Sequence, residues 1–413
     1  MSEAAEQNNS HQAFIGRQPI FDVDLNLHGY ELLFRSGEHS SAGVTDGNQA
    51  TSQVIINAFV DIGIEQITGN NIAFINLTRD FLVGKIPLPF ESGNIVLEIL
   101  EDVHADEETI AAVTELSKKG FIIALDDFVI SDKNRALIPL ADIVKVDLMQ
   151  FENDEALRSD VEELKKHSVK LLAEKVETRE EFELCKTLGF ELFQGYFFCK
   201  PQIITGKKLP ANRIALLNLI AKLQSPDCDI KELEELISRD VAISYKLMRI
   251  INSPFYGLRT KIESVQRALM VLGLKALKSW VTVISLSMID NKPPELVNTS
   301  LIRAKMCEQL SSSFNCSEES SFTVGLFSLL EALMDQPLTE LLSKLPLSSE
   351  ICAALLQHKG ELGQILDVVI AYEHGDWETV EKSKLDSGEL RQAFLTSLSW
   401  AGEISLQMST PTN

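Results

Sequence analysis

A (β/α)8 barrel whose first strand runs antiparallel, followed by an all-helical domain, is the architecture this sequence predicts. Three observations carry it. Between Phe14 and about Pro201, short β-rich runs alternate with amphipathic stretches. The first two runs lie too close together for a parallel crossover, and beyond Pro210 the apolar period becomes helical.

The elements follow in order. Residues 1–13 are polar and lack the basic start and apolar run of a signal peptide, so they are read as a disordered tail. Phe14–Phe21 and Leu27–Arg35 are separated by five residues, where a parallel crossover needs about a dozen, which makes the first strand antiparallel. The next runs are Asn71–Asn76, Asn94–Ile99, Gly120–Asp126, Asp142–Asp147, Val169–Glu174 and Gly189–Gln194. Between them lie segments such as Asp106–Lys119, acidic at the start and basic at the end, as the helix macrodipole favours. Consecutive βα units make parallel strands, and no Gly-x-Gly-x-x-Gly follows any of these runs, so a closed barrel over 14–204 is preferred to a dinucleotide-binding sheet.

A helical domain is expected over 205–405 and a short tail over 406–413. Ile214, Leu217, Leu219, Ile220 and Leu223 share one helical face; Leu233, Ile237, Val241, Ile243, Leu247 and Ile250 form others. Pro226, Pro254, Gly257, Gly273, Pro293, Pro294, Pro337 and Pro346 punctuate the bundle. The helix near Trp280 is expected in the core, and Asn252–Gly257 as a helix stop followed by a turn.

The 413 residues, 45% hydrophobic, suffice for two cores. Thirty-eight basic against sixty acidic residues leave a formal charge of −22, which opposes adhesion to nucleic-acid polymers or to anionic membranes. A phosphate-bearing substrate then requires metal ions or a local basic pocket. Six cysteines without a Cys-x-x-Cys pair read as free thiols in a reducing compartment, and the apolar run Trp280–Ile289 falls short of the roughly 20 residues of a membrane helix. A cytoplasmic location is expected.

The strand ends carry chemistry. In a (β/α)8 barrel, side chains at the carboxyl ends of the strands converge on one mouth. Here they are Glu31, Asn76, Glu98, Asp126 with Asp127, Lys145 with Asp147, Glu174 with Glu177, and Gln194. A single acid at a strand end is most often solvated or a helix cap, but so many converging acids repel one another unless cations compensate them. Oxygen-only donors favour Mg2+ or Mn2+ over zinc, and two such ions about 4 Å apart activate a water and stabilise the leaving oxygen of a phosphodiester. Lys145 is placed to meet the developing charge. These residues reach a two-metal phosphodiester hydrolase, and no further toward its substrate.

Eight ordered motifs resemble the EAL family of cyclic di-GMP phosphodiesterases: Gln18–Asp22, Tyr30–Arg35, Asn76–Thr78, Leu97–Glu101, Leu125–Phe128, Val144–Asp147, Ala173–Glu177 and Gln194–Pro201. The resemblance implies that Glu31, Asn76, Glu98, Asp126 and Asp127 hold two ions, Mg2+ or Mn2+. It implies that Lys145 and Glu174 orient or activate the water, that Gln194 completes the site, and that Gln18 and Arg35 face the dinucleotide. Glu101 would prop the loop after Asp127. The implied reaction is hydrolysis of cyclic di-GMP to linear pGpG, favouring motility over biofilm. Leu32 stands where the name motif has alanine, and the loop Val129–Lys133 lacks both glycines of the family pattern. A catalytically silent sensor of the dinucleotide, or an interaction scaffold, is the alternative.

The second half resembles the HDOD domain through Leu209–Pro210, Ile237–Met248, Ile251–Gly257, Val265–Gly273 and Tyr372–Trp377. It has no adjacent His-Asp pair, and Gly325–Leu330 stands where an active relative of the HD hydrolases carries one, so a second hydrolase is not expected. His358 and His374 are read as surface or core histidines without carboxylate partners at ligand spacing. The resemblance implies docking of a protein partner through this half and regulation of the first half, while the EAL resemblance implies a homodimer.

Overall fold

The computed structural model describes residues 13–36, 63–130, 134–200, 211–225, 228–258, 260–290 and 292–409. Two compact units are present: one comprises Met1–Phe197 with Ala371–Arg391, the other Phe198–Ile370 with Gln392–Asn413. Residues 371–391 thus cluster with the barrel, although sequence alone assigned them to the helical domain.

The first unit is a closed barrel in sequential order: β1 (Ala13–Asp22), β2 (Leu27–Ser36), β3 (Ile72–Leu77), β4 (Ile95–Ile99), β5 (Ile122–Leu125), β6 (Ile143–Asp147), β7 (Lys170–Glu174) and β8 (Leu192–Gln194). β1 is antiparallel to both β2 and β8, and every other neighbouring pair is parallel. The expected antiparallel start is therefore present. The Asp22 carboxylate makes it possible, accepting from the backbone N–H groups of Asp24 and Asn26, both at 2.9 Å, to close the tight turn.

The intervening helices start on side-chain caps. Asp106 accepts from Thr109 N ahead of Glu107–Lys118, and Asn153 caps Asp154–Leu164. Thr178 and Glu181 form a reciprocal capping box for Arg179–Thr187.

Alternation along the strands builds the barrel interior. Ile20, Phe74, Val96, Ala124, Ile143, Leu172 and Leu192 form one buried apolar cluster, with Ile72 and Ile122 packed against it. Side chains two apart on a strand share a face. In β3 to β8 the residue two beyond each cluster member is Asn76, Glu98, Asp126, Lys145, Glu174 or Gln194. β1 runs the other way, so its corresponding residue is Gln18, two before Ile20. Gly29 stands two before Glu31 on β2, and a Cβ there would lie 2.6 Å from the Ile72 carbonyl oxygen and 3.2 Å from the Phe74 ring. The apolar layer is therefore the floor, and the chemical residues are the layer above it.

The second unit is helical. Leu217, Ile220 and Leu223 of helix Ala211–Gln224 are buried as expected, but Ile214, in its first turn, is 44% exposed. Leu233, Ile237, Ile243, Leu247 and Ile250 are buried, whereas Val241, the first residue of its helix, is 80% exposed. Trp280 is buried, as anticipated. Helix Val265–Leu286 is long and apolar enough to cross a membrane by length and composition, beyond the shorter run read from sequence. Gly273 breaks it with φ 80° and ψ 166°.

Asn252 ends helix Val241–Ile251 and clamps the following turn: its amide donates to the Met248 and Ile262 carbonyls, both at 2.8 Å, and accepts from Ile262 N at 2.7 Å. Gly325 is where two helices meet; a Cβ there would approach the Arg303 carbonyl oxygen to 2.5 Å. Helix Ser387–Ser409 extends into the predicted tail, with Met408 buried. His358 does have a carboxylate neighbour, Asp367, at 2.5 Å from its Nδ1, because an αL turn at His358 brings the next helix back beside it. Residues 1–12, 131–133, 201–210 and 410–413 lie outside the described residues.

Candidate active site

Lys145 stands at the centre of the mouth, fully buried. Its ammonium lies 2.6 Å from Glu98 Oε1, 2.6 Å from Asp126 Oδ1, 3.0 Å from Glu174 Oε1 and 3.3 Å from Glu31 Oε2. The register explains the convergence. Asn76 and Glu98 are Cα partners across β3 and β4, and Gln18 and Glu31 are partners across β1 and β2. Asn76 donates to Glu31 Oε1 at 3.0 Å, and Gln194 donates both to Glu31 Oε2 at 2.7 Å and to Gln18 Oε1 at 2.9 Å.

Burial and charge oppose each other here. Burial pushes the Glu98 carboxyl well above the usual carboxylate range, against the pull of Lys145. Glu174 is pushed up to about 8, again by burial first, with the Asp126 and Glu31 charges adding to it. Asp126 is raised, chiefly by burial. Burial also works on Glu31, but Lys145 and the bonds from Gln194, Lys145 and Asn76 outweigh it and hold that carboxyl below its ordinary value. Burial alone would lower Lys145, yet the four surrounding carboxylates keep it charged, well above the ordinary lysine value.

The donors suit a hard divalent cation. Asn76 Oδ1, Glu98 Oε2, Glu174 Oε2 and Gln194 Oε1 are buried with no hydrogen-bond partner, and Glu98 Oε1 has its ion pair only. Every one is oxygen, the donor type that Mg2+, Mn2+ and Ca2+ prefer. Among the described residues, no three Asp, Glu, His or Cys side chains stand at metal-ligand spacing, because the carboxylates close on the Lys145 ammonium instead.

The remaining predicted residues are placed differently. Asp127 is not among the carboxylates that touch Lys145; it faces Lys175 Nζ at 4.0 Å and takes a left-handed φ of 44°. Arg35 lies on β2 opposite Phe14, and its side chain is outside the described residues. Glu101 is exposed in the turn after β4. Val129 is 42% exposed, with its carbonyl accepting from Asn134 Nδ2 at 2.8 Å.

Sequence reasoning missed Lys175, which pairs with Asp147 Oδ2 at 2.5 Å and takes a left-handed φ of 55°. Its signal was its place in the motif Ala173–Glu177. Positive φ at both Asp127 and Lys175 is the kind of backbone strain that gathers at functional sites. Gly195 is a further positional requirement: at φ 147°, a Cβ would come within 2.1 Å of the Val176 carbonyl oxygen, so only glycine lets β8 pass there and hold Gln194 in place.

Residues 38–201 match the model of the EAL domain, and residues 209–368 match that of the HDOD domain. The EAL match begins after β2, so Gln18, Glu31 and Arg35 precede it. YuxH of Bacillus subtilis is 35% identical over 401 residues, covering 94% of this chain and 98% of its own length. The chain belongs to the family that joins an EAL domain to an HDOD domain. A second relative, the cyclic di-GMP phosphodiesterase CdgJ of Vibrio cholerae, is 34% identical over 407 residues, 96% of this chain and 94% of that protein. Among solved structures, the EAL-domain protein YkuI of Bacillus subtilis, in complex with substrate c-di-GMP and calcium, is similar at 22% identity and a TM-score of 0.37. That similarity covers 45% of this chain and 54% of the other.

Proposed function

We propose that this chain hydrolyses cyclic di-GMP to linear pGpG. The observation that carries the reading is the buried group of Glu31, Glu98, Asp126 and Glu174 around Lys145, in a chain that is 34% identical to a cyclic di-GMP phosphodiesterase along nearly its whole length. Glu31, Asn76, Glu98 and Asp126, with Asp127 beside them, would hold two Mg2+ or Mn2+ ions. Bound there, the ions would lower the pKa of a water and neutralise charge on the phosphodiester.

The chain's own residues do the rest. Glu174 Oε2, buried and without a hydrogen-bond partner, is the acceptor for the proton of the attacking water. The water oxygen joins phosphorus as the bond to one ribose oxygen breaks, and that oxygen leaves with a proton returned by Glu174 or taken from solvent. Lys145 Nζ meets the negative charge that develops on the phosphoryl oxygens. Gln18 and Arg35 face the dinucleotide, and Glu101 supports the loop after Asp127. By lowering the dinucleotide, the activity favours motility over biofilm, while the helical half docks a protein partner or regulates the barrel.

The test is incubation of the full chain with cyclic di-GMP and Mg2+ or Mn2+, followed by chromatography for pGpG. Intact binding without turnover would overturn the catalytic reading in favour of a sensor; neither binding nor turnover would leave a scaffold.

A further inference from the structure

Residues 371–391 belong to the barrel unit although Ala371 comes 177 residues after Gln194, the end of β8. Their attachment to β1 and β2 is extensive. Tyr372 is fully buried, and its hydroxyl donates to the Ile15 carbonyl at 3.0 Å and accepts from Ile15 N at 3.4 Å. Trp377 stacks on Phe14 with ring centroids 5.2 Å apart. Gly16 lies beside that indole, which stands 3.4 Å from where a Cβ would be.

Two residues of this segment reach the mouth. Glu373 Oε1 accepts from the Tyr196 hydroxyl at 2.5 Å, and the Tyr196 ring meets His374 edge-on at 4.1 Å. The His374 carbonyl accepts from Gln18 Nε2 at 3.2 Å. A carbonyl oxygen only accepts, so Gln18 must turn its amino group toward His374 and its oxygen toward Gln194. Gln194 must then present its own amino group, which it shares between Gln18 Oε1 and Glu31 Oε2. That leaves Gln194 Oε1 as a buried acceptor without a hydrogen-bond partner, beside the carboxylates.

We infer that Ala371–Arg391 is a working part of the barrel's site: the His374 carbonyl, held by the Glu373–Tyr196 pair, sets the orientation of the Gln18 and Gln194 amides and so supplies an oxygen donor for a divalent cation. The inference rests on the phosphodiesterase reading only for the reaction that this donor serves. Glu373 and Tyr196 are positioning residues. They act on the site through Gln18 and Gln194, and their loss turns the relay loose without removing a carboxylate. Were Gln18 to turn over, its oxygen would face the His374 carbonyl and its amino group that of Gln194; were Gln194 to turn over, two oxygens would face each other and Glu31 would lose a donor.

The experiment uses the full chain, with Mn2+ binding measured by calorimetry on metal-free protein and with kcat and KM for cyclic di-GMP. Glu373→Ala and Tyr196→Phe are each expected to weaken Mn2+ binding by about tenfold, or about 1.4 kcal/mol, and to lower kcat. Glu373→Gln, which still accepts from the Tyr196 hydroxyl, is expected to keep the parental Mn2+ affinity. A purely structural role would shift the melting temperature and leave Mn2+ affinity alone. Should Glu373→Ala fail to fold, Tyr196→Phe decides, because it keeps the ring against His374 and removes only the hydroxyl. Parental Mn2+ affinity in both variants, or no Mn2+ binding by the parent, overturns the inference. Weakened Mn2+ binding in variants of a parent that does not cleave cyclic di-GMP would uphold the positioning role and overturn the reaction.

Discussion

Replacing Lys145 with methionine removes the ammonium to which Glu31, Glu98, Asp126 and Glu174 are all paired, while keeping an unbranched side chain of similar length. Breaking a buried ion pair from one side costs about 3–5 kcal/mol, because the partner charge stays behind without compensation. Here the loss falls at the low end, about 3 kcal/mol, since Glu98 and Glu174 are already pushed toward their protonated forms by burial and take up protons more readily. For a unit of roughly 200 residues, that corresponds to a fall of about 6–12 °C in melting temperature. A divalent cation substitutes for the missing charge: at a hundred times its dissociation constant it restores about 2.7 kcal/mol. Circular dichroism melts of parent and variant, each with chelator and with Mn2+, read both quantities. An unchanged melting temperature in chelator would refute the buried cluster. A variant that gains no more from Mn2+ than the parent does would refute the substitution of one cation for another.

Four further outcomes are expected. Glu31→Ala removes a proposed cation donor and strands the Asn76 and Gln194 amides, so pGpG formation should fall at least about a hundredfold with the far-ultraviolet spectrum unchanged; a parental rate would remove Glu31 from the ligand set. Treatment with a chelator should abolish turnover and Mn2+ or Mg2+ should restore it, and turnover that survives exhaustive chelation would rule out the metal requirement. Tyr372→Phe leaves two backbone groups of Ile15 without the hydroxyl between them and should cost about 1–2 kcal/mol in denaturant unfolding; no loss would mean that this contact is not held in solution. Gly195→Ala forces a methyl to within 2.1 Å of the Val176 carbonyl, and should cost at least about 3 kcal/mol and most of the activity through displacement of Gln194, as unfolding and pGpG assays would show.

The strands were legible because their apolar runs are short and bounded, and because five residues between the first two runs leave no room for a crossover. Gln18 and Glu31 lie inside β1 and β2 rather than at their ends, whereas the residues of β3 to β8 that border the mouth were legible for the same reason, each standing at or beside the end of such a run. Their grouping was only partly so. The expectation placed Asp126 and Asp127 together, yet the backbone turns through a left-handed residue at Asp127 and sends its carboxylate toward Lys175. Lys145, read as a cation beside the paired aspartates, proves to be the point on which four carboxylates close. Ile214 and Val241 fit a helical period but are exposed, since periodicity records a face and not what lies opposite it.

Local order in this protein, from the β runs and helix caps to the antiparallel start and the residues bordering the mouth, follows from near neighbours along the chain, whose alternation and turn chemistry act over a few residues. Contacts across hundreds of residues leave no such trace. That His374 reaches Gln18, that Tyr372 is buried against Ile15, and that one ammonium gathers acids from four strands depended on packing in three dimensions. Barrel closure brings the strand ends together, and a returning segment places the His374 carbonyl within hydrogen-bond reach of Gln18.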